Sequence, residues 1–388
     1  MKTSFTKSSL KKISKKLRHS ETLTDEDEVI FSEYRKVHKY ILNNFQSKIR
    51  KRIKGNKKYR YVLFAQRLKR RKTIINKIRN RFSEMDLSRM HDIAGGRIIF
   101  PNIELLKKFR KEFLNSQKKS KKYTHVSGDK YDYITNPNIK TGYRGIHDIF
   151  REITQDSIKT EIEIQYRTEV QHAWATACEI WDSNFDDQTK FGMSNKKIQL
   201  FFRLISELFS RLIDGAESSY LGEIILYIRI LKMESELKVL SRLKGINVIK
   251  TLCHYLPQNK KTNRQILLLT KYVKEEDVNF VFYQKFDDAM SEYVAKELEK
   301  RQADSVLVMV EDSKELRKAY NNYFNDVSAF FLFWDEVTQK IRKKHSITVC
   351  IIEQIFPTLR KLSNTDKKII EDSLKENIKN NGYNSSIK

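Results

Sequence analysis

The chain has 388 residues, of which 39% are hydrophobic and 11% aromatic, so it can form a sizeable core and is not a disordered polycation. Lysine and arginine number 76 against 49 acidic residues, which gives a formal net charge of +27. This charge attracts nucleotides, RNA or anionic membranes without choosing among them, and a lysine-rich compositional bias would produce it with no function attached.

Cysteine spacing and hydropathy favour a cytoplasmic protein. Cys178, Cys253 and Cys350 are far apart and show neither disulfide nor zinc-site spacing. No apolar run approaches the ~20 residues that cross a bilayer. The basic N-terminus lacks the apolar segment of a secretory signal.

The N-terminal region is predicted to be basic and helical. Phe5, Leu10, Ile13 and Leu17 have the spacing of one helix face, and residues 25–53 keep apolar positions three and four apart. Acidic residues open this second helix and basic residues close it, which suits the helix dipole. The following segment, up to residue 82, combines strand and helix character.

Between residues 90 and 170 the pattern changes to short strands joined by helices and loops. A helix is predicted at NIELLKKFRKEFLNS. Strands are predicted at GGRIIF, YDYIT, IHDIFREI and TEIEIQYRT. These elements indicate an α/β (α+β) fold with a mixed β-sheet flanked by helices.

Helix returns after this sheet, at 169–183 and over 195–244, and we interpret the second stretch as a long amphipathic bridge. A small α+β unit follows, with strands predicted at 247–256, 264–273, 278–286 and 305–312 and helices at 287–301 and 314–341. The predicted division is 1–60, 61–185, 186–244, 245–345 and a helical or loose tail at 346–388.

The segment TEIEIQYRT alternates strictly between polar and apolar residues. The polar side chains of Glu161, Glu163, Gln165 and Arg167 therefore share one face of a strand, and the apolar ones face a core. That polar face is either a solvated edge or a surface that carries chemistry.

Acidic, basic and aromatic residues nearby favour chemistry. Asp92 precedes a Gly-Gly turn, and together with Glu163 it could hold Mg²⁺, which binds a few carboxylates plus substrate phosphates. The basic run from residue 67 to 81 suits a triphosphate, although such runs are usually solvated helix faces. Tyr143 could stack on a base or be buried at a strand entrance.

Four segments in order resemble the motifs of RelA/SpoT-type alarmone synthetase domains. They are RLKRRKTIINK, DIAGGRIIF, GYRGIHDIF and EIQYRT followed by HAWA, and they span about residues 60–185. The resemblance implies a nucleotidyltransferase-like synthetase domain of the single-synthetase type, without the hydrolase half of bifunctional members. Gly145 and Tyr166 depart from the usual Ser and Ile.

The resemblance implies transfer of pyrophosphate from ATP to the ribose 3′-hydroxyl of GDP or GTP, with Mg²⁺ as cofactor and AMP as by-product. Asp92 and Glu163 would bind the metal, and Glu163 or Gln165 would orient or deprotonate the hydroxyl. The implied ATP-binding residues are Arg67, Lys69, Lys77 and Arg97. The implied acceptor-binding residues are Lys140, Tyr143, Arg144 and His147.

Two other functions stay open at this point. Some toxic relatives pyrophosphorylate the 3′ end of tRNA, and the basic charge favours an RNA acceptor. A non-catalytic protein that binds RNA or the ribosome is the second alternative. A synthetase without its own hydrolase would also need an antitoxin or another regulatory partner.

Overall fold

A computed structural model describes residues 5–19, 21–80, 86–118, 123–153, 159–185, 195–217, 220–245, 265–272, 278–283, 286–298, 303–310 and 327–344. All structural statements below refer to these ranges.

Two helices begin the chain, α1 (Lys7–Arg18) and α2 (Asp25–Lys54). Each starts at a threonine, Thr6 or Thr24, whose hydroxyl accepts a hydrogen bond from the backbone N–H three residues on. The predicted apolar face of α1 is confirmed, because Phe5, Leu10, Ile13 and Leu17 are all buried.

A mixed β-sheet forms the centre of this part of the chain, as the sequence predicts, and it has five strands. Its order is β1-β2-β5-β4-β3, with β2 and β5 parallel and the other pairs antiparallel. The strands are β1 (Leu63–Leu68), β2 (Ala94–Phe100), β3 (Thr124–His125), β4 (Ile146–Ile153) and β5 (Lys159–Thr168), and helices α3 (Arg71–Asn80) and α4 (Ile103–Lys118) follow β1 and β2.

One face of this sheet is apolar and packs under α2 and α4. Ile162, Ile164 and Tyr166 of β5 are fully buried there, as the alternation in the sequence predicts. Aromatic rings from both helices, including Phe45 and Phe109, join the same hydrophobic cluster. The opposite, polar face of the sheet is therefore left for other contacts.

The strand predicted at 131–135 is wrong. These residues form turns, and only Asp132 makes an isolated bridge, to Ile146. The Asp132 carboxylate accepts hydrogen bonds from the backbone N–H groups of Ile134 and Thr135, both at 3.0 Å. An aspartate that binds the backbone just after itself favours a turn over a strand.

The helical stretch predicted at 195–244 is helical but not continuous. It consists of α6 (Lys196–Leu212), α7 (Tyr220–Leu237) and α8 (Val239–Gly245), after α5 (Glu169–Phe185). Gly215, with φ of +73°, follows α6, and Lys238, with φ of +58°, separates α7 from α8. Left-handed residues of this kind end a helix.

The C-terminal part contains a three-stranded antiparallel sheet in the order β7-β6-β8. Its elements are β6 (Gln265–Tyr272), β7 (Val278–Tyr283), α9 (Phe286–Leu298) and β8 (Ala303–Val310), and α10 (Ser328–Lys344) follows. Helix α10 packs against α5 and α6 in a second hydrophobic cluster. Three predicted elements agree with β6, β7 and β8, and one with α9.

The strand predicted at 247–256, most of the predicted 314–341 helix before α10, and the tail lie outside the described residues. The five-part division of the chain stays a prediction. Within the described ranges no helix is long and apolar enough to cross a membrane.

Candidate functional site

The polar face of the sheet brings together most of the residues singled out in the sequence. Glu163 of β5 lies beside Gly95 of β2, which in turn pairs with Arg67 of β1. One step along, Gln165 lies between Arg97 of β2 and His147 of β4. Paired residues point to the same face, so one surface carries the side chains of Glu163, Gln165, Arg97 and His147.

Asp92 lies in the turn before β2, and its carboxylate accepts hydrogen bonds from two lysines. Lys69, directly after β1, forms a short ion pair with one carboxylate oxygen, and Lys77 of α3 donates to the other at 3.0 Å. The backbone N–H of Lys69 also donates to the carbonyl of Ile93 at 2.8 Å. The end of β1 and the start of β2 therefore hold this cluster by main chain and side chain together.

The charges of Asp92 and Glu163 act on each other. Burial raises the pKa of Asp92, and so does the charge of Glu163, but Lys69 and Lys77 outweigh both and hold the pKa below its ordinary value. Burial likewise raises the pKa of Glu163, but His147, Gln165 and Lys69 lower it well below its usual range. The two carboxylates therefore lie close enough for the charge of one to act on the other.

A polar network holds Glu163 from the β4 side of the face. Gln165 Nε2 donates to Glu163 Oε1 at 2.6 Å, and His147 Nδ1 lies 3.6 Å from the same oxygen. His147 Nε2 lies 2.7 Å from the hydroxyl of Tyr143, and that hydroxyl also accepts from Arg167 Nε at 3.2 Å. The network links β4, β5 and the loop before β4.

The neighbours of His147 favour its protonated form. Burial alone would lower the pKa of His147, but the Tyr143 hydroxyl and the Glu163 carboxylate raise it to about 9. Both ring nitrogens of a protonated histidine donate hydrogen bonds. His147 is therefore suited to bind anions and to orient Glu163, and not to accept a proton.

The loop before β4 is hydrogen-bonded to α6. Three side chains of that helix donate to loop carbonyls: Gln199 to Lys140 at 2.9 Å, Arg203 to Ile139 at 3.0 Å and Ser206 to Gly142 at 2.5 Å. Gly142 has φ of +78°, and a Cβ there would lie 2.8 Å from the Cα of Arg203. Only glycine allows this close approach.

Several of the residues predicted to contact a nucleotide contact other protein side chains or lie at the surface. Arg144 is buried and donates to Glu207 of α6 at 2.5 Å. One side of the Tyr143 ring carries the guanidinium of Arg167, 5.1 Å from the ring centroid. Lys140 is exposed on the loop, and the side chain of Arg67 lies outside the described parts of the structure.

Sequence reasoning missed a second cluster of charged residues on the same face. Glu161 pairs with Arg151 of β4 at 2.5 Å and forms a short contact with His91, which precedes Asp92. The alternation in β5 includes Glu161, but nothing in the sequence identifies its partners. The loop contacts of α6 were missed as well, because carbonyl acceptors leave no signal in the sequence.

The donor set on this face suits a divalent cation that is shared with a substrate. Among the described residues no group of three or more His, Cys, Asp and Glu could hold a metal by itself. Asp92 and Glu163 provide two carboxylates, and Mg²⁺ commonly binds to one or two carboxylates together with substrate phosphates. The chemistry of Asp92 and Glu163 fits this mode.

Comparison with known families assigns the region that contains this site. Residues 66–184 match the family described as the region found in RelA/SpoT proteins. This chain contains a RelA/SpoT domain. The matched residues run from β1 to α5, so they include the whole polar face, while α1, α2, α6 and the C-terminal elements lie outside the match.

Solved structures with similarity to the chain include small alarmone synthetase 1 from Bacillus subtilis in several forms. The form bound to its product pppGpp is 22% identical, with 50% of this chain and 92% of that chain covered and a TM-score of 0.36. The form bound to AMPCPP is 20% identical, with 50% and 91% covered and a TM-score of 0.31. A further structure is 26% identical, with 43% and 77% covered and a TM-score of 0.30.

The chain has no significant match among curated proteins. The RelA/SpoT assignment therefore depends on the match over residues 66–184.

Proposed function

We propose that the chain is an ATP-dependent pyrophosphokinase that transfers pyrophosphate from ATP to the ribose 3′-hydroxyl of GDP or GTP. The observation that carries the proposal is the charge-coupled group of Asp92, Glu163, Lys69, Lys77 and His147 within a RelA/SpoT domain. The B. subtilis structures contain pppGpp and AMPCPP, and we expect an alarmone product and an ATP-type donor here.

Lys69 and Lys77 are the donor-side residues in this proposal. They bind the Asp92 carboxylate, and their ammonium groups would neutralise charge on the ATP phosphates during transfer. Arg97 points from the same sheet face, and Arg67 occupies the neighbouring β1 position. The four cations would bind the triphosphate from β1 and the residue after it, from β2 and from α3.

Asp92 and Glu163 would hold Mg²⁺ together with the ATP phosphates. The metal would supply charge neutralisation and alignment of the phosphates when bound. The depressed pKa values of both carboxyls support this assignment, because they keep both groups ionised at neutral pH. A metal ligand must be deprotonated to bind.

The acceptor side is assigned to Tyr143, His147, Arg144 and Lys140. His147, whose pKa is raised to about 9, would contact the acceptor phosphates, and Tyr143, which belongs to the same polar network, would lie against the base. Arg144 would keep the loop in place through Glu207. Lys140 is exposed and would contribute charge at the entrance.

In the reaction the 3′-hydroxyl oxygen of the acceptor attacks the β-phosphorus of ATP. The bond from that phosphorus to the oxygen that bridges to the α-phosphate breaks, and AMP leaves with the electron pair. The hydroxyl proton leaves to water. Such transfers depend mainly on alignment and charge stabilisation.

Glu163 would orient the hydroxyl more than deprotonate it. An effective general base has a pKa near the operating pH, whereas the pKa of Glu163 lies well below its usual range. Gln165 has no basic group, and its amide donates to Glu163. The two residues together would align the attacking oxygen.

The test is an incubation of the purified protein with ATP labelled on its terminal phosphate, Mg²⁺, and GDP, GTP or total tRNA in separate reactions. We expect labelled guanosine tetra- or pentaphosphate with GDP or GTP. Asp92→Asn should abolish transfer. Asp129→Asn is the matched control, because its side chain is 79% exposed and pairs with Arg110 away from the site.

The products also separate the alternatives. Label in tRNA and none in nucleotides would replace the proposed acceptor by tRNA. No transfer to any of the three by wild-type protein would contradict a pyrophosphokinase and leave a binding protein.

A further inference from the structure

A buried hydrogen bond joins the C-terminal part of the chain to α2. Tyr293 of α9 is fully buried, and its hydroxyl accepts from Arg35 Nη2 at 2.8 Å. The Arg35 guanidinium, also buried, lies 5.3 Å from the centroid of the same ring. A hydrogen bond from a charged donor in a buried position is stronger than one between neutral groups.

The same Arg35 nitrogen reaches the donor side of the site. Nη2 of Arg35 donates to the carbonyl of Lys69 at 3.1 Å. The N–H of Lys69 donates to the carbonyl of Ile93, next to Asp92. The main chain of Lys69 is therefore held by both of its polar groups, one toward Asp92 and one toward Arg35 and Tyr293.

The packing around these groups ties α9 to the core of the RelA/SpoT domain. Tyr293, Ala289 and Leu268 belong to the same hydrophobic cluster as Leu68 of β1 and Ile74 of α3, and β8 lies beside β1. Loss of the Tyr293 hydroxyl would leave the buried Arg35 guanidinium without this hydrogen-bond acceptor. The guanidinium would then move towards another acceptor, because an unsatisfied buried polar group is costly. Such a rearrangement would move the partner that fixes Lys69.

We propose that Arg35 and Tyr293 are positioning residues for Lys69, through which the C-terminal α+β unit (β6, β7, β8 and α9) sets how the donor side binds ATP. The proposal rests on the proposed function for the identity of the nucleotide. Both residues lie outside the matched RelA/SpoT region. A ligand or protein that shifts α9 would therefore change the use of ATP without touching the site.

The test compares Tyr293→Phe with Tyr283→Phe in the full chain. Both substitutions remove one hydroxyl from the same unit, and Tyr283 packs against the same core from β7. We expect Tyr293→Phe to raise the KM for ATP about threefold to tenfold, with an unchanged KM for the acceptor nucleotide. Tyr283→Phe should change neither.

Hydrogen exchange in the absence of nucleotide gives a second readout that does not need activity. Tyr293→Phe should increase exchange of the Lys69 amide and of the peptides that contain residues 69–77, while Tyr283→Phe should not. Arg35→Lys should have the same effects, and combining it with Tyr293→Phe should add little, because both interrupt one link.

Equal behaviour of the two tyrosine variants in both readouts would overturn the proposal. An equal rise in KM for both nucleotides, with a lower melting temperature, would also overturn it and indicate general destabilisation. If wild-type protein transfers no pyrophosphate, the proposed function fails, and the exchange comparison alone decides whether the link to Lys69 exists.

Discussion

Glu161 and Glu163 are two residues apart on one face of β5, but their surroundings differ. Arg151 and His91 hold Glu161, whereas Gln165 and His147 hold Glu163. The charge of Glu163 acts on Asp92. The pair therefore provides an internal comparison between a carboxylate assigned to chemistry and one assigned to the structure.

The first prediction uses this pair. Glu163→Gln should lower kcat for pyrophosphate transfer about a hundredfold or more, because it removes a charge that would act at the transferring group. Glu161→Gln should keep kcat within about tenfold but lower the melting temperature, because Arg151 loses its charged partner. A larger loss of kcat in Glu161→Gln than in Glu163→Gln would contradict these roles.

Asp214 carries a second prediction, on stability against pH. It lies just after α6, and its Oδ2 accepts from Thr168 Oγ1 at 3.1 Å and from Gln171 Nε2 at 2.7 Å. Burial raises the pKa of Asp214 to about 6 despite these hydrogen bonds. The folded protein therefore keeps this proton at pH values where the unfolded chain has lost it.

The sign of the effect follows from the raised pKa. Below about pH 4 the carboxyl is protonated in both the folded and the unfolded state. As the pH rises from about 4 to 6, the unfolded chain loses this proton first, and the free energy of unfolding falls by at most about 3 kcal/mol. Asp214→Asn should thus unfold at a higher temperature than wild type at pH 7.5 and at nearly the same temperature near pH 4. A pH-independent difference would contradict the assignment, and Asp129→Asn serves as an exposed control.

At the scale of elements, the two glycines at the start of β2 face opposite sides of the sheet. A Cβ on Gly96 would lie 2.8 Å from a ring carbon of Phe64 and 3.0 Å from a methyl of Ile164. A Cβ on Gly95 would lie 3.4 Å from the nearest atom, the carbonyl oxygen of Glu163. Gly96 is therefore required for packing, while Gly95 keeps space above the polar face.

Alanine at each position should separate these functions. Gly96→Ala should lower the free energy of unfolding by about 1–3 kcal/mol, because it overpacks the core. Gly95→Ala should fold with nearly wild-type stability and lose at least about tenfold in kcat/KM, because a methyl group misplaces the phosphates. Melting curves and initial rates check both variants, and loss of stability in Gly95→Ala alone would contradict the assignment.

The contact between α6 and the loop before β4 leads to the fourth prediction. Ser206→Ala removes the hydroxyl that donates to the Gly142 carbonyl and should raise the KM for GDP or GTP about threefold to tenfold, with little change in the KM for ATP. Ser210→Ala, one turn further along the same helix and also buried, is the matched control. Equal effects on both substrates would show that α6 supports the whole fold and not the acceptor loop.

At the scale of the molecule, periodicity in the sequence predicts the sheet well and the loops poorly. The alternation in β5 predicts a strand with one buried and one polar face. Its neighbour β4 breaks this rule, because Asp148 is fully buried on the apolar face and Ile149 is buried on the other. The tract at 131–135 has a strand-like pattern too, but the side chain of Asp132 binds the backbone and makes a turn. A local hydrogen bond decides against periodicity there.

Contacts between distant parts of the chain could not be predicted. The motifs place Asp92 and Glu163 in the site, and the structure brings them within electrostatic reach. The partner of Arg144 is Glu207, and the partner of Arg35 is Tyr293. The Arg144–Glu207 pair and the Arg35–Tyr293 pair each join segments that no motif relates, so only the folded chain reveals them.

The parallel pairing of β2 with β5 divides the face between two consecutive stretches of chain. Residues up to α4 provide the basic side chains assigned to ATP, and residues from β3 onward provide those assigned to the acceptor, while Glu163 of β5 would complete the metal site. Substrate choice on either side can thus evolve separately: a lineage could acquire a new acceptor by exchanging the second stretch while it inherits the first unchanged.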